Sequence, residues 1–179
     1  MNREQRLKAI NAELQKRILI LDGSMGAYLQ GFGLDASDYH GTRFTEHPMS
    51  LKGNADLLVL TRPDVIKQIH EGYLAAGADI VSTDTFTANP VSQITRELNV
   101  EGARLAREAC DAFEAKDKKP RIVAGAVGPT TKLLSMSPEV GDPGRRDADF
   151  DGLAAGYKEQ ILGLIEGGAD ILLIETITD

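Results

Sequence analysis

The chain has 179 residues, 42% of them hydrophobic, with 18 glycines and 7 prolines. That is enough apolar material for one domain with a packed core and too much for a disordered chain. The formal net charge is −7, from 20 basic and 27 acidic residues, and no Lys/Arg cluster stands out. This argues against nucleic acid or an anionic membrane surface as a partner. No apolar run approaches the about 20 residues needed to span a bilayer, and residues 1–16 lack the apolar core of a signal peptide. The single cysteine, Cys110, leaves no internal disulfide. Together these features point to the cytoplasm.

Residues 1–16 read as an N-terminal amphipathic helix with Leu7, Ile10 and Leu14 on one face, ahead of a domain over 17–179. Ile18-Leu19-Ile20-Leu21 then runs straight into Asp22-Gly23-Ser24-Met25-Gly26. A short apolar run closed by turn residues predicts a strand over 18–22, buried on both faces, with Asp22 at its end. Residues 25–30 form one helical turn. Residues 31–54, broken by Gly31, Gly33, Gly41, Pro48 and Gly53, form a long irregular connection of the kind that serves a site. Residues 57–60 are an extra strand or a packed loop.

Pro63 opens a helix in the favoured first-turn position, with Thr61 as its N-cap. Val65, Ile66, Ile69 and Tyr73 make its apolar stripe and Gly77 closes it. The second strand, 79–86, begins apolar and ends in polar residues, so its C-terminal end faces a site and not a core. A helix over 92–116 places Leu98, Leu105, Ala109 and Phe113 inward, with Cys110 as a small buried residue. The third strand, 121–127, ends in Gly128-Pro129-Thr130, where small residues admit a ligand or a neighbouring backbone. After a loop over 132–146, Asp149 or Asp151 caps a helix with Leu153, Tyr157, Ile161 and Leu164 inward. Gly167-Gly168 ends it, and the fourth strand, 170–175, closes in Glu175.

The joint Ala76-Gly77-Ala78-Asp79-Ile80-Val81 is echoed by Gly167-Gly168-Ala169-Asp170-Ile171-Leu172. Both join a helix to a strand, which argues for parallel strands in an α/β fold. No Gly-x-Gly-x-x-Gly follows the first strand, which disfavours an open nucleotide-binding sheet. Asp22, Asp84 and Glu175 instead gather at the C-terminal strand ends, where βα-barrel enzymes keep their chemistry. A whole barrel takes about 250 residues. The expected fold is therefore the N-terminal half of a (β/α)8 TIM barrel: four parallel βα units behind an N-terminal helix.

At the first strand end, Gly23 and Gly26 let the backbone bend and leave amides uncovered beside the Asp22 carboxylate. That pairing suits a ligand carrying both an ammonium and a carboxylate, such as an amino acid. An ordinary glycine turn reads the same way on this motif alone.

Leu21-Asp22-Gly23-Ser24-Met25-Gly26 resembles the Asp-Gly-Gly-Met-Gly signature that opens the homocysteine S-methyltransferase barrel. Residues 51–60, 76–81, Thr83-Asp84-Thr85-Phe86, 125–130 and Ile174-Glu175-Thr176 resemble segments of the N-terminal module of cobalamin-dependent methionine synthase. The resemblance runs from about Arg17 to the last residue. It implies zinc-dependent transfer of a methyl group to the sulfur of homocysteine, the thiol being ionised on the metal. The methyl would come from methylcobalamin, recharged from methyltetrahydrofolate by other modules.

By the same resemblance, Asp22 and Glu175 hold the substrate ammonium, and the amides of Gly23 and Ser24 receive its carboxylate. Ser24 departs from the usual second glycine and is tolerable if its φ is negative. Asp84 departs from the usual Asn, where it adds an anion beside the substrate or is a satisfied polar strand end. The resemblance places three zinc-binding cysteines in the second half of the barrel. Cys110 sits on an outer helix, and His40, His47 and His70 show no ligand spacing. No metal ligand and no catalytic residue is therefore assigned to this stretch, which is expected to be inactive alone.

Its expected partners are homocysteine, the C-terminal half of the barrel, the folate and cobalamin modules, and a second copy through open sheet edges. Betaine- or S-methylmethionine-dependent transfer remains an alternative, because no cobalamin-binding Asp-x-His-x-x-Gly occurs in the chain. So do a different barrel enzyme using Asp22, Asp84 and Glu175 as acid and base and a non-catalytic half-barrel assembly module.

Overall fold

Asp79 and Asp170 stand at the same place in the two echoed joints and are held the same way. Asp79 accepts hydrogen bonds from the Ile20 amide at 2.9 Å and from Arg17 at 2.7 and 2.6 Å. Asp170 accepts from the Val123 amide at 3.0 Å, from Arg107 at 3.0 Å and from Arg6 at 2.9 and 2.7 Å. Each carboxylate ties the start of its strand to the preceding one and anchors an arginine there. A repeated sequence joint has become a repeated electrostatic clamp.

The computed structural model describes residues 1–88 and 94–177. Its elements are α1 (Arg3–Leu14), α2 (Met25–Gln30), α3 (Ala36–His40), a 3-10 turn (Ala55–Leu57) running into α4 (Leu58–Thr61), α5 (Pro63–Ala76), β1 (Ile80–Ser82), α6 (Thr95–Asp117), β2 (Ile122–Val127), α7 (Phe150–Gly167) and β3 (Ile171–Ile174). The strands form one parallel sheet in the order β1-β2-β3, with Ile80 opposite Ile122 and Ala124 opposite Ile171. Leu21 adds to the free side of β1 through a single parallel bridge to Ile80. The alternating, parallel α/β order is as expected. The expected first strand, 18–22, is reduced to that bridge.

Two apolar clusters hold the layers. One joins Leu29, Leu58, Val59, Ile66, Ile69 and Leu98 from α2, α4, α5 and α6. The other sets Val81, Val123 and Val127 of the sheet against Ala103, Ala106, Cys110 and Leu164 of α6 and α7. Helices α6 and α7 touch along glycines. A Cβ on Gly163 would lie 2.7 Å from the Arg96 carbonyl oxygen, and one on Gly167 would lie 2.3 Å from that of Val100.

Caps explain where the helices begin and end. Asp149 caps α7 by accepting from the Gly152 amide. Gly77 and Gly168 take left-handed conformations (φ 106 and 104) after α5 and α7, a geometry that costs glycine nothing. Leu98, Leu105 and Ala109 are buried on α6 as expected. The expected start of that helix at Ser92 lies outside the described residues.

Several expectations are corrected. Residues 18–22 are not buried on both faces: Ile18 is 84% exposed, Ile20 54% and Leu21 45%. The run pairs with β1 on one side, and no described element covers the other. Residues 57–60 are helical, because Leu57, Leu58 and Val59 are packed on all sides and so show no strand-like alternation. Thr61 does not cap α5. Its hydroxyl donates back to the Leu57 carbonyl at 3.2 Å, and Arg62 takes the cap position without a side-chain bond. The loop over 31–54 contains α3, started by an Asp35–Asp38 capping box. Leu14 is 51% exposed, and Arg6, not Leu7, joins Ile10 as a buried residue of α1. Among the described residues, no helix is long and apolar enough to cross a membrane.

Candidate functional site

Beyond the C-terminal ends of the strands lies a cleft of about 440 Å³. The turn after residue 22 supplies Gly23 and Ser24, the segment after β1 supplies Thr83 and Asp84, β2 supplies Ala126, and the residue after β3 is Glu175. Asp22 stands against the wall. Its Oδ2 accepts from the Ser82 amide at 3.0 Å and its Oδ1 from the Ser82 hydroxyl at 2.8 Å. All five residues singled out in the sequence therefore meet in one region.

The turn is rigid. Ser24 has φ −65 and is the N-cap of α2, its side chain accepting from the Ala27 amide. Its departure from glycine thus adds a cap without strain. Tyr73 packs beneath: a Cβ on Gly23 would come 3.1 Å from its hydroxyl, which donates to the Ser24 carbonyl at 3.1 Å. Sequence reading had placed Tyr73 only in an apolar stripe. Among the described hydrogen bonds, neither the Gly23 nor the Ser24 amide donates to a protein acceptor.

Asp84 is fixed by its neighbours. The Thr83 and Thr85 hydroxyls bond each other at 2.7 Å, Thr85 donates to the Ala126 carbonyl at 2.9 Å, and the Ala126 amide donates to Thr83 at 2.9 Å. This ring stitches the end of β1 to β2. Asp84 itself is only 5% exposed, and its Oδ2 is buried with no hydrogen-bond partner. The expectation of a satisfied polar strand end is thereby corrected.

Sequence reading missed Asp56. It lies in the 3-10 turn, lines the cleft, and accepts a hydrogen bond from Thr87. The only trace of it in the sequence was its place inside the recognised segment 51–60. Elsewhere, the smallness of Gly125 and Gly128 serves packing within the chain. A Cβ on Gly125 would press on Leu164, and one on Gly128 would lie 2.2 Å from the Phe86 carbonyl.

Charge is concentrated here. Burial pushes Asp22 up to about 6, with the Glu175 carboxylate adding to the rise and the two Ser82 bonds opposing it. Burial also pushes Asp56 up to about 6 against the Thr87 bond, and burial together with the Asp56 charge pushes Asp84 up to about 8. Such environments are typical of binding sites.

The residues do not fit a zinc centre. Among those described, no group of three or more His, Cys, Asp or Glu side chains is placed to hold a metal. Cys110 is buried in α6, and burial pushes its thiol up to about 12, far from a thiolate ligand. His70 is buried with neither ring nitrogen bonded, and burial lowers it to about 4.

The chain is thus an α/β protein whose acidic side chains gather at a cleft beyond the C-terminal strand ends. The chain belongs to the homocysteine S-methyltransferase family, whose model matches residues 19–179. It is similar in structure to the homocysteine methyltransferase MmuM from Escherichia coli. Against the oxidized form the identity is 25% and the TM-score 0.68, over 96% of this chain and 56% of that one. Against the metallated form the values are 24% and 0.69, over 94% and 57%. The chain thus spans little more than half the length of the structures it matches.

Proposed function

We propose that these residues are the homocysteine-binding part of an S-methyltransferase, arranged as the first half of a (β/α)8 barrel. The observation that carries this reading is the convergence of Asp22, Glu175 and the Gly23–Ser24 turn on one cleft. Asp22 and Glu175 hold the ammonium through charge-assisted bonds. The turn amides receive the carboxylate. The thiol-activating zinc that the family implies has no ligand set among the described residues, so the role proposed for this chain is to bind and orient the amino acid, without activity alone.

Methylcobalamin, recharged from methyltetrahydrofolate by separate modules, is the methyl donor we favour, on the match of residues 51–60 and 125–130 to the cobalamin-dependent module. The same proposal places the protein in the cytoplasm. It also pairs the exposed apolar edges, Ile18 and Ile20 on one side and Leu172 and Ile174 on the other, with the remaining barrel or with a second copy.

Calorimetry with L-homocysteine, and with the same molecule lacking its amino group, tests the site. Binding that needs the amino group and weakens by about tenfold or more in Asp22→Asn is expected. Equal binding of both compounds contradicts the ammonium assignment.

A further inference from the structure

Asp56, Asp84 and Glu175 line the cleft and Asp22 stands against its Ser82 wall, yet no Lys or Arg is among the described lining residues. An amino-acid ligand brings one ammonium, which the proposed function gives to Asp22 and Glu175. Asp56 and Asp84 are left as a buried pair without a cation. The two differ in their surroundings. Asp56 accepts a hydrogen bond from Thr87, which favours its charged form. Asp84 has a sealed Oδ2 with no donor against it.

A carboxylate oxygen in a dry site with neither donor nor cation is unfavourable, and such a group takes up a proton instead. When two carboxyls interact, the one with poorer support for its charge holds the shared proton longer. The buried Oδ2 is then an ordinary acid carbonyl oxygen, and the hydroxyl belongs on the oxygen nearer the cleft.

We propose that Asp84 is a neutral carboxylic acid that presents an O–H to the cleft and donates it to the α-carboxylate of the amino-acid ligand. The assignment rests on the homocysteine-site reading above and adds one residue and one protonation state to it. A neutral acid has nothing to offer an ammonium, but it makes a short, strong bond to a carboxylate. The Thr83–Thr85–Ala126 ring holds the group in place without consuming it. The acidic side chains around the cleft are Asp56 from the 3-10 turn, Glu175 after β3 and Asp22 after residues 18–21. Of these the Asp56 charge bears on its proton and favours the protonated form. The direction of Asp84's shift agrees, its carboxyl standing at about 8.

The test is a carbon-13 carboxyl NMR titration of the whole chain from pH 5 to 10, without and with L-homocysteine, with Asp84→Asn used to assign the signal. Asp84 is expected to titrate highest of the cleft carboxyls, and ligand is expected to raise its midpoint. The dissociation constant of the native chain should rise about tenfold between pH 7 and 9, as the competent protonated fraction falls. Asp84→Asn keeps a donor without a titrating proton, so it should bind at neutral pH and lack that component. Asp84→Ala should bind weakly at every pH.

A midpoint near the ordinary aspartate value overturns the proposal while leaving the amino-acid site intact. So does a midpoint indifferent to a ligand that shifts the Gly23 and Ser24 amides. If those amides never respond to homocysteine, the amino-acid site itself is refuted and the ligand assignment of Asp84 falls with it.

Discussion

Asp22 and Ser82 join the turn after residue 22 to the end of β1 through two bonds from one residue, an amide at 3.0 Å and a hydroxyl at 2.8 Å. Both favour the carboxylate, while burial and Glu175 oppose it, and the balance leaves Asp22 at about 6. The residue is therefore ionised at neutral pH and close to losing its charge. Ser82→Ala removes the hydroxyl bond and should push Asp22 higher still. Homocysteine affinity should then fall severalfold at pH 6 and less at pH 8. Asp22→Asn should cost about 1.5–3 kcal/mol of binding at both values. Calorimetry at the two pH values separates these outcomes.

Stability should fall as pH rises from about 4 to 8. Asp22, Asp56 and Asp84 are all raised, so the folded chain keeps protons that the unfolded chain releases near pH 4. The contribution of Asp22 and Asp56 is lost by about pH 6 and that of Asp84 by about pH 8. The opposite sign holds for Asp79, Asp64 and Glu97, lowered chiefly by bonds to Arg17, Arg62 and Arg43. Their contribution is lost below about pH 4. Scanning calorimetry should place the highest melting temperature near pH 4. Asp84→Asn should flatten the decline above pH 6, and a melting temperature that climbs from pH 5 to 8 would contradict the account.

Asp170→Ala should destabilise the chain by about 3–5 kcal/mol, because it leaves the buried guanidiniums of Arg6 and Arg107 without their shared carboxylate. Arg6→Ala should cost less and loosen α1 first, since Arg107 would still neutralise Asp170. Urea denaturation gives both energies, and hydrogen exchange over residues 3–14 reports the docking of α1.

Gly167→Ala should cost about 1–3 kcal/mol, since α7 must move off α6 to relieve a 2.3 Å approach to the Val100 carbonyl. Thermal melts measure it. An unchanged melting temperature would mean that the two helices are not seated along these glycines.

Local order was readable because its causes are local. Pro63 and Gly77 bound α5, Asp149 and Gly168 bound α7, and the apolar run 122–127 is β2. The site motif was readable for the same reason, since Asp22, Gly23 and Ser24 are consecutive and Glu175 directly follows a strand. Residues 57–60 were not, because a segment packed on all sides loses the periodicity that separates helix from strand. The exposure of Ile18 and Ile20 was not readable either, because apolarity reports a tendency to be covered and not the presence of a cover.

The sequence by itself determined the βα order, the joints at Asp79 and Asp170, and the membership of Asp22, Asp84 and Glu175 in a set of strand ends. Only the tertiary structure decided that Asp56 joins them, that Ser82 holds Asp22, and that Asp84 is left with a buried oxygen and no donor. The reason is that charge and solvation depend on distance in space. Residues 22, 56, 84 and 175 share a field only once the sheet has brought their ends together.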